Sequence, residues 1–192
     1  MLANFLELNK KYKSIRDKFA NSFDELSINV SQKQNHYIYS KGGLLLHRGY
    51  FSPSMLDIMG ILGGVSRGRL INDKNNADYE YIFDAENRLI CCKKYSNENN
   101  IKALIETEFL IYDEDNVLSL IFNHFQGELY FISECFFTDG NQQKYQTAIF
   151  YNDDIEINIE ELEFSKGNIN SLLYSRYLSG SNFFDQEKYN FS

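Results

Sequence analysis

The histidines are the first candidates for catalytic or metal-binding residues in this chain. Their spacing matches no known catalytic or metal-binding motif. They are His36, His47 and His124, and none stands in the H-x-x-x-H or C-x-x-C patterns that hold zinc. No serine or cysteine has the local signature of an activated nucleophile. The sequence therefore predicts no catalytic residues, no metal and no cofactor, and a protein that is not an enzyme.

The three cysteines, Cys91, Cys92 and Cys135, cannot complete a disulfide framework because their number is odd. On a strand, the adjacent Cys91 and Cys92 would point to opposite faces. We therefore expect reduced, partly buried thiols, which are typical of a cytoplasmic protein. Lysines interrupt the N-terminal segment before any signal-peptide core can form, so a cytoplasmic location without a membrane anchor is predicted.

Glycines at 63, 64 and 68 resemble part of a phosphate-binding loop. The outer glycines of residues 63–70 have the separation of a Walker A motif. However, Arg69 and Leu70 stand where lysine and serine or threonine are needed for phosphate and magnesium. A turn that follows a short helix is the better interpretation.

Two acidic clusters, Asp113-Glu114-Asp115 and Asp153-Asp154, are candidates for a cation site. The first has neither the ligand spacing nor the central glycine and terminal glutamate of an EF-hand loop. A hairpin turn rich in acidic residues needs no metal, so no metal site is predicted.

Charge is strongly sorted along the chain. Residues 1–50 hold 8 basic and 4 acidic residues, whereas residues 101–192 hold 5 basic and 16 acidic residues, within a total net charge of −8. A concentration of one sign attracts partners of the opposite sign and repels nucleic acid and anionic membranes. The charge distribution therefore predicts a basic protein partner. Binding to nucleic acid or to a membrane is not expected.

Hydrophobic spacing predicts the elements that position these charges. An N-terminal helix is indicated by an apolar residue every three or four positions, namely Phe5, Leu8, Tyr12, Ile15 and Phe19. Ser27–Val30 and His36–Tyr39 are predicted as short strands, with a hairpin turn at Gly42-Gly43. Ser52-Pro53 is typical of a helix start and predicts a short helix near 53–59.

From residue 78 to residue 163 the sequence is typical of a β-meander. Acidic or glycine-containing turns recur between aromatic strands, and Asp139-Gly140 is a strong hairpin signal. Residues 168–178 are predicted to form a C-terminal helix that ends near Gly180. The predicted fold is a single α+β domain over residues 1–192, mainly an antiparallel β-meander sheet with an N-terminal helix, a short helix near 53–59 and a C-terminal helix.

The last predicted strand supplies the most distinctive acidic pattern. Isoleucines at 155, 157 and 159 alternate with Asp154, Glu156, Asn158 and Glu160. Because side chains of a strand point alternately to its two faces, the pattern predicts a half-buried strand with an acidic outer face.

Three stretches share a loose form in which an aromatic strand end is followed by an acidic turn and a return strand. They are Tyr81–Leu89, Ile111–Leu118 and Phe137–Asn141. This form resembles hairpin repeats in bacterial immunity proteins of polymorphic toxin systems. The resemblance implies a small, acidic, cytoplasmic protein that binds and neutralises a toxin, and it brings no catalytic residues.

The sequence thus predicts an immunity or inhibitor protein that binds a protein partner, such as a basic toxin domain, through an acidic, aromatic-rich sheet surface. The predicted contact residues are Asp113, Glu114, Asp115, Tyr130, Tyr151, Asp154, Glu156 and Glu160. Two other functions stay open. One is a small-molecule-binding domain or an enzyme without a recognisable motif, with a pocket beside residues 60–68. The other is a structural or phage-type assembly protein whose aromatic sheet faces are subunit contacts.

Overall fold

The computed structural model describes residues 2–43, 54–58, 68–98, 101–152, 154–165 and 167–191. Two helices stand at the N-terminus, α1 (Leu2–Phe19) and α2 (Phe23–Lys33). A single helical turn, α3, spans Met55–Ile58, and a 3-10 helix spans Lys74–Asn76. The remaining regular secondary structure of the described residues consists of β-strands.

Within these ranges, eleven strands form an antiparallel sheet. Their bounds are β1 (His36–Lys41), β2 (Arg69–Ile71), β3 (Tyr79–Phe83), β4 (Leu89–Glu98), β5 (Ile101–Tyr112), β6 (Asn116–Asn123), β7 (Glu128–Thr138), β8 (Asn141–Tyr151), β9 (Asp154–Ser165), β10 (Asn168–Leu178) and β11 (Phe183–Asn190). Hydrogen-bonded neighbours follow the order β11-β10-β9-β8-β7-β6-β5-β4-β3-β1-β2. From β3 onward, sequence neighbours are also sheet neighbours, which confirms the predicted meander and the α+β class.

The hairpin between β7 and β8 forms as its sequence predicts. Asp139 and Gly140 both have positive φ angles, +50° and +75°. A two-residue turn with both φ angles positive has the twist that joins two adjacent antiparallel strands, and aspartate-glycine adopts it with little strain.

The residues divide into two compact units. The first comprises Met1–Phe19, Tyr112–Ser119 and Tyr130–Ser192, and the second comprises Ala20–Ile111 and Leu120–Leu129. The sequence prediction of one domain over residues 1–192 stays a prediction.

In the first unit, α1 packs on one face of strands β7–β11. Phe5 is 2% exposed and stacks on Tyr177, with ring centroids 5.4 Å apart, while its edge meets Phe184 at 5.5 Å. Two turns further along α1, Tyr12 is fully buried and its hydroxyl donates a hydrogen bond to Gln146. This is the apolar stripe that the spacing of the N-terminal helix predicts, and burying it holds the helix on the sheet.

In the second unit, α2 places aromatic side chains against the sheet. The Phe23 ring meets the rings of Phe109 and Phe122 edge to face, at centroid distances of 5.5 and 5.4 Å. Leu26, one helical turn later, is also buried. Such edge-to-face contacts add to the free energy gained by burying the rings.

Two predicted elements are wrong. Ser27–Val30 lies within α2, because Phe23, Leu26 and Val30 follow helical spacing and Leu26 is buried. The predicted C-terminal helix, Asn168–Leu178, is strand β10, which pairs with β9 along its length and with β11 from Ser171 to Leu178. Pairing on both sides satisfies the backbone of this segment, so tertiary context decides its conformation.

Some predictions fall partly or wholly outside the described residues. Of the short helix near 53–59, Met55–Ile58 is helical, and residues 53 and 59 lie outside. His47, Asp153 and most of the glycine-containing segment 63–70 also lie outside the described residues. The segment after Gly42-Gly43 is likewise not described; both glycines have positive φ.

Candidate functional site

The sheet of the first unit has two chemically different faces along strands β8–β11. The strand registers align three rows of side chains on one face: Ile149, Glu156, Leu178 and Phe183; Thr147, Asn158, Arg176 and Asp185; and Tyr145, Glu160, Tyr174 and Glu187. We call the face that carries these rows the acidic face. The opposite face, on which α1 packs, is called the helix-side face.

Acidic residues on the helix-side face are matched by cations. Lys144 pairs with Glu161 and Lys188 pairs with Glu163, each with a nitrogen-to-oxygen distance of 2.9 Å. From α1, Lys11 forms an ion pair with Glu134 of β7. The formal charge of this face along β8–β11 is therefore balanced.

The acidic face of the same four strands is not balanced. Its registers place five carboxylates beside one guanidinium, a formal charge of −4; the residues are Asp154, Glu156, Glu160, Asp185, Glu187 and Arg176. Because both faces belong to the same strands, the imbalance results from strand alternation. Most of the negative charge of this part of the chain is thus sorted onto one side of the sheet.

Arg176 and Glu156 form the central ion pair of the acidic face. The Arg176 Nε donates to Glu156 Oε1 at 2.9 Å, and a terminal nitrogen donates to Oε2 at 3.1 Å. The hydrogen bonds to Glu156 and the charge of its carboxylate raise the pKa of Arg176 above its ordinary value. Two parallel hydrogen bonds fix the orientation of both groups.

Asn158 links this ion pair to its neighbours. Its Nδ2 donates to Glu156 Oε1 at 3.2 Å and to Thr147 Oγ1 at 3.3 Å, and its Oδ1 accepts a hydrogen bond from the Tyr174 hydroxyl at 2.7 Å. Burial raises the pKa of Tyr174. The network spans three strands, and the Tyr174 hydroxyl is held in it as a neutral donor.

Glu160 occupies the next row of the acidic face. It is 5% exposed and lies opposite Tyr145 of β8 and Tyr174 of β10. Burial, with a further contribution from the charge of Glu160, raises the pKa of the Cys135 thiol to about 12. Cys135 is therefore a neutral, buried side chain at neutral pH.

Asp154 is positioned by the turn between β10 and β11. The Ser179 hydroxyl donates to Asp154 Oδ1 at 3.2 Å and accepts a hydrogen bond from the Ile155 amide. A Cβ atom on Gly180 would collide with the Asp154 carboxylate. Glycine at this position thus leaves space for an exposed carboxylate at one end of the acidic face.

The edge strand β11 carries the remaining carboxylates. Asp185 and Glu187 are exposed, and the Glu187 carboxylate accepts a hydrogen bond from the Tyr189 hydroxyl, which lies on the same face. Exposed carboxylates beside tyrosine hydroxyls accept hydrogen bonds from lysine and arginine side chains, and aromatic rings can stack with their cations. The chemistry of this face is suited to a basic partner.

Four of the predicted contact residues come together on the acidic face. Tyr151, the last residue of β8, lies opposite Asp154 and is 53% exposed, and Glu156 and Glu160 follow on the same face. Burial and the charge of Glu156 raise the pKa of Tyr151, while Arg176 acts in the opposite sense. The alternating pattern of residues 154–160 therefore predicted a shared face.

The other four predicted residues lie elsewhere. Asp113, Glu114 and Asp115 occupy the exposed turn between β5 and β6, where the Asp115 carbonyl accepts a hydrogen bond from the Phe137 amide. Tyr130 belongs to β7 and, by strand alternation, lies on the helix-side face. These residues are not part of the acidic face of β8–β11.

The predicted acidic outer face of β9 needs a correction. Glu156 is only 9% exposed and Glu160 only 5%, so these two residues do not project into solvent as the alternation suggested. Glu156 is neutralised by Arg176, which the prediction did not include. The accessible carboxylates of this face are instead Asp154, Asp185 and Glu187.

Residues of β10 and β11 are the ones that the sequence prediction missed. Arg176, Tyr174, Asp185 and Glu187 were not recognised because residues 168–178 were predicted as a helix. A usable signal was present: turn-forming residues at 165–168 and at 179–182 continue the spacing of the meander.

The second unit contains a separate charged cluster, at a buried carboxylate. Glu80 is 2% exposed and accepts hydrogen bonds from Lys74 Nζ at 2.9 Å and from the Tyr95 hydroxyl at 2.7 Å. Burial acts to raise the pKa of Glu80, but these two donors outweigh it and hold the pKa below its ordinary value. The cluster ties the 3-10 helix to β3 and β4, which is a structural role.

The described residues include neither a metal-binding cluster nor a membrane-spanning helix. Within the described ranges, no three histidine, cysteine, aspartate or glutamate side chains come close enough to hold a metal ion. Across the same part of the chain, no helix has both the length and the apolar character needed to cross a membrane. Comparison with known proteins adds no relative, since the chain matches no protein-family model, no curated protein and no solved structure.

Proposed function

We propose that this chain is a protein-binding inhibitor, of the immunity type, that neutralises a basic toxin domain by docking it on the acidic face of β8–β11. The observation that carries the proposal is the difference between the two faces of the same strands. The helix-side face is electrically balanced, whereas the acidic face has a formal charge of −4.

Folding alone does not require such sorting. Carboxylates on both faces would be stabilised by neighbouring lysines, as Glu161 and Glu163 are on the helix-side face. Unbalanced charge on one face repels itself and lowers stability somewhat, but it accelerates encounter with an oppositely charged protein. This trade-off favours a docking surface over a purely structural one.

Aromatic side chains supply the other requirement of a tight interface. Tyr151 is exposed at one end of the acidic face, and Tyr174 and Tyr189 lie on the same face in β10 and β11. Tyrosines contribute large contact areas at a small cost in side-chain entropy and are enriched among the residues that dominate binding energies. The tyrosines of this face are therefore expected to be the anchors.

The test is a binding experiment with the product of the neighbouring gene, co-expressed and purified with this chain. Asp154, Asp185 and Glu187 are changed to lysine together, because these carboxylates are accessible and their replacement leaves the buried Glu156 and Glu160 in place. The matched control changes the exposed Glu7, Asp17 and Glu86 to lysine, which alters the net charge equally.

We expect a complex whose association rate falls at least tenfold in the Asp154, Asp185 and Glu187 variant at low salt, with a weaker salt dependence. The control variant should lose much less. Equal association rates for the two variants would show that this face does not steer the partner. A neighbouring product that forms no complex, together with saturable binding of a small molecule, would overturn the proposal in favour of a ligand-binding domain.

A further inference from the structure

The edge strand β11 carries an inference about how the partner is held. It is the terminal strand in the hydrogen-bonded order, with β10 as its neighbour on one side. Seven of its eight residues are exposed, including Phe183 and Phe184. Within the described ranges of the chain, no strand pairs with its outer side.

A hydrogen bond at the C-terminal end of β11 shows which of its residues direct their backbone groups toward β10 and which direct them outward. The Phe191 amide donates to the Asn170 carbonyl of β10 at 2.9 Å, so Phe191 points its backbone groups toward β10. Because successive residues of a strand point these groups to opposite sides, the amides and carbonyls of four residues point outward. They are Phe184, Gln186, Lys188 and Asn190.

A second contact supports the outward direction of the Gln186 amide and shows how the edge is protected from pairing with another strand. The Gln186 amide donates to the carboxylate of the preceding residue, Asp185, at 2.8 Å. The carboxylate thus occupies an amide that would otherwise bind an added strand. Charged side chains commonly protect sheet edges, and here the charged side chain also takes up one outward amide.

The Asp185 carboxylate also makes the edge selective for the sequence of an added strand. An added strand has to replace the bond between Asp185 and the Gln186 amide. A lysine or arginine opposite Asp185 offers the carboxylate a new partner, whereas an apolar or acidic residue leaves it without one. In an antiparallel arrangement Asp185 and Glu187 would be at non-hydrogen-bonded positions, where side chains of paired strands are closest.

A second copy of this chain does not meet that requirement. Two copies of β11 that pair about a two-fold axis, with most of their length aligned, place Asp185 or Glu187 against Asp185 or Glu187 of the other copy. Like charges directly opposite each other destabilise a strand pair. The occupant is therefore a different chain with the opposite charge.

We propose that β11 is paired by an extended segment of the protein partner, which adds to the sheet as a further strand and carries lysine or arginine at the alternate positions facing Asp185 and Glu187. This inference rests on the proposed function, and it specifies the recognition mode as strand addition. The outward amides give affinity, and the two carboxylates select a basic sequence.

The experiment uses the full chain, labelled with ¹⁵N, and synthetic peptides as probes. The first probe alternates lysine and valine over ten residues. The second replaces each lysine by glutamine. The third keeps the lysines but is N-methylated at the valines, whose amides would bond to β11. Amide hydrogen exchange is followed by NMR at the four outward residues and at Asp185 and Glu187.

At nine-tenths occupancy by the lysine–valine peptide, we expect exchange of the outward amides to slow about tenfold. The glutamine peptide should bind more weakly, and the N-methylated peptide should give no protection. The Asp185→Ala variant has no carboxylate at this position that would need lysine as a new partner, so its preference for the lysine peptide over the glutamine peptide should shrink.

The outcomes separate the two proposals. Equal binding of the lysine–valine peptide and its N-methylated form, with charge dependence retained, would overturn strand addition and leave the acidic docking face standing. Protection of the outward amides in the chain alone, with a dimer in sedimentation equilibrium, would overturn the proposal by making a second copy the occupant. No binding of the lysine peptide, together with unchanged association rates in the co-expression test, would overturn both.

Discussion

Replacement of Arg176 by methionine tests whether the acidic face is organised as described. The change keeps much of the apolar length of the side chain and removes both hydrogen bonds to Glu156, at 2.9 and 3.1 Å. The Glu156 carboxylate, whose side chain is 12% exposed, then retains the Asn158 amide at 3.2 Å from Oε1. A nearly buried carboxylate with so few donors is costly.

The size of the effect follows from these contacts. Losing a hydrogen-bonded cation from a buried carboxylate costs about 3 kcal/mol where the pair is fully desolvated. Because the Arg176 side chain is 41% exposed, water and salt replace part of that interaction. We expect a loss of about 1.5 kcal/mol in the free energy of unfolding, measured by urea denaturation.

The double variant Arg176→Met with Glu156→Gln supplies the control. Since glutamine carries no charge, removing the cation should cost less in its presence, and the coupling energy of the double-mutant cycle should be about 1 kcal/mol. A matched substitution, Lys144→Met, breaks a more exposed ion pair with Glu161 and should cost less than about 0.5 kcal/mol. If Arg176→Met were as mild as Lys144→Met, the ion pair would not organise this face.

Three further predictions concern other parts of the two units. The thiols of Cys91, Cys92 and Cys135 are buried. Burial raises their pKa values, and those of Cys91 and Cys135 reach about 12. A thiol reagent at pH 8 should therefore label none of the three in the native protein and all three in urea. Prompt labelling of the native protein would contradict this burial. Because the pKa of Glu80 is lower in the folded protein, its stabilisation is present above the ordinary value of 4.5 and is lost as the pH falls through the folded-state pKa. Glu80→Gln should therefore flatten the decline of stability below about pH 5, as measured by denaturation at several pH values, and an unchanged decline would assign acid sensitivity to other groups. Phe5→Ala removes a ring that is 2% exposed and should cost about 3 kcal/mol of stability, whereas the neighbouring exposed Leu6→Ala should cost well under 1 kcal/mol; equal losses would mean that α1 does not dock through Phe5.

The amino-acid sequence by itself determined the elements that depend on local periodicity. The apolar residues of α1 recur with a helical period, and Asp139-Gly140 has the conformational freedom that its turn requires. The alternation of residues 154–160 likewise predicted that Asp154, Glu156 and Glu160 share one face. These features could be read because each depends on residues close together in the chain.

The tertiary structure alone decided which of those carboxylates are accessible and which are neutralised. Pairing on both sides makes Asn168–Leu178 a strand instead of a helix, and that strand brings Arg176 onto Glu156. The same pairing makes β11 the edge of the sheet and leaves Asp185 and Glu187 exposed there. Burial and ion pairing depend on neighbours supplied by distant segments, so local sequence patterns cannot fix them.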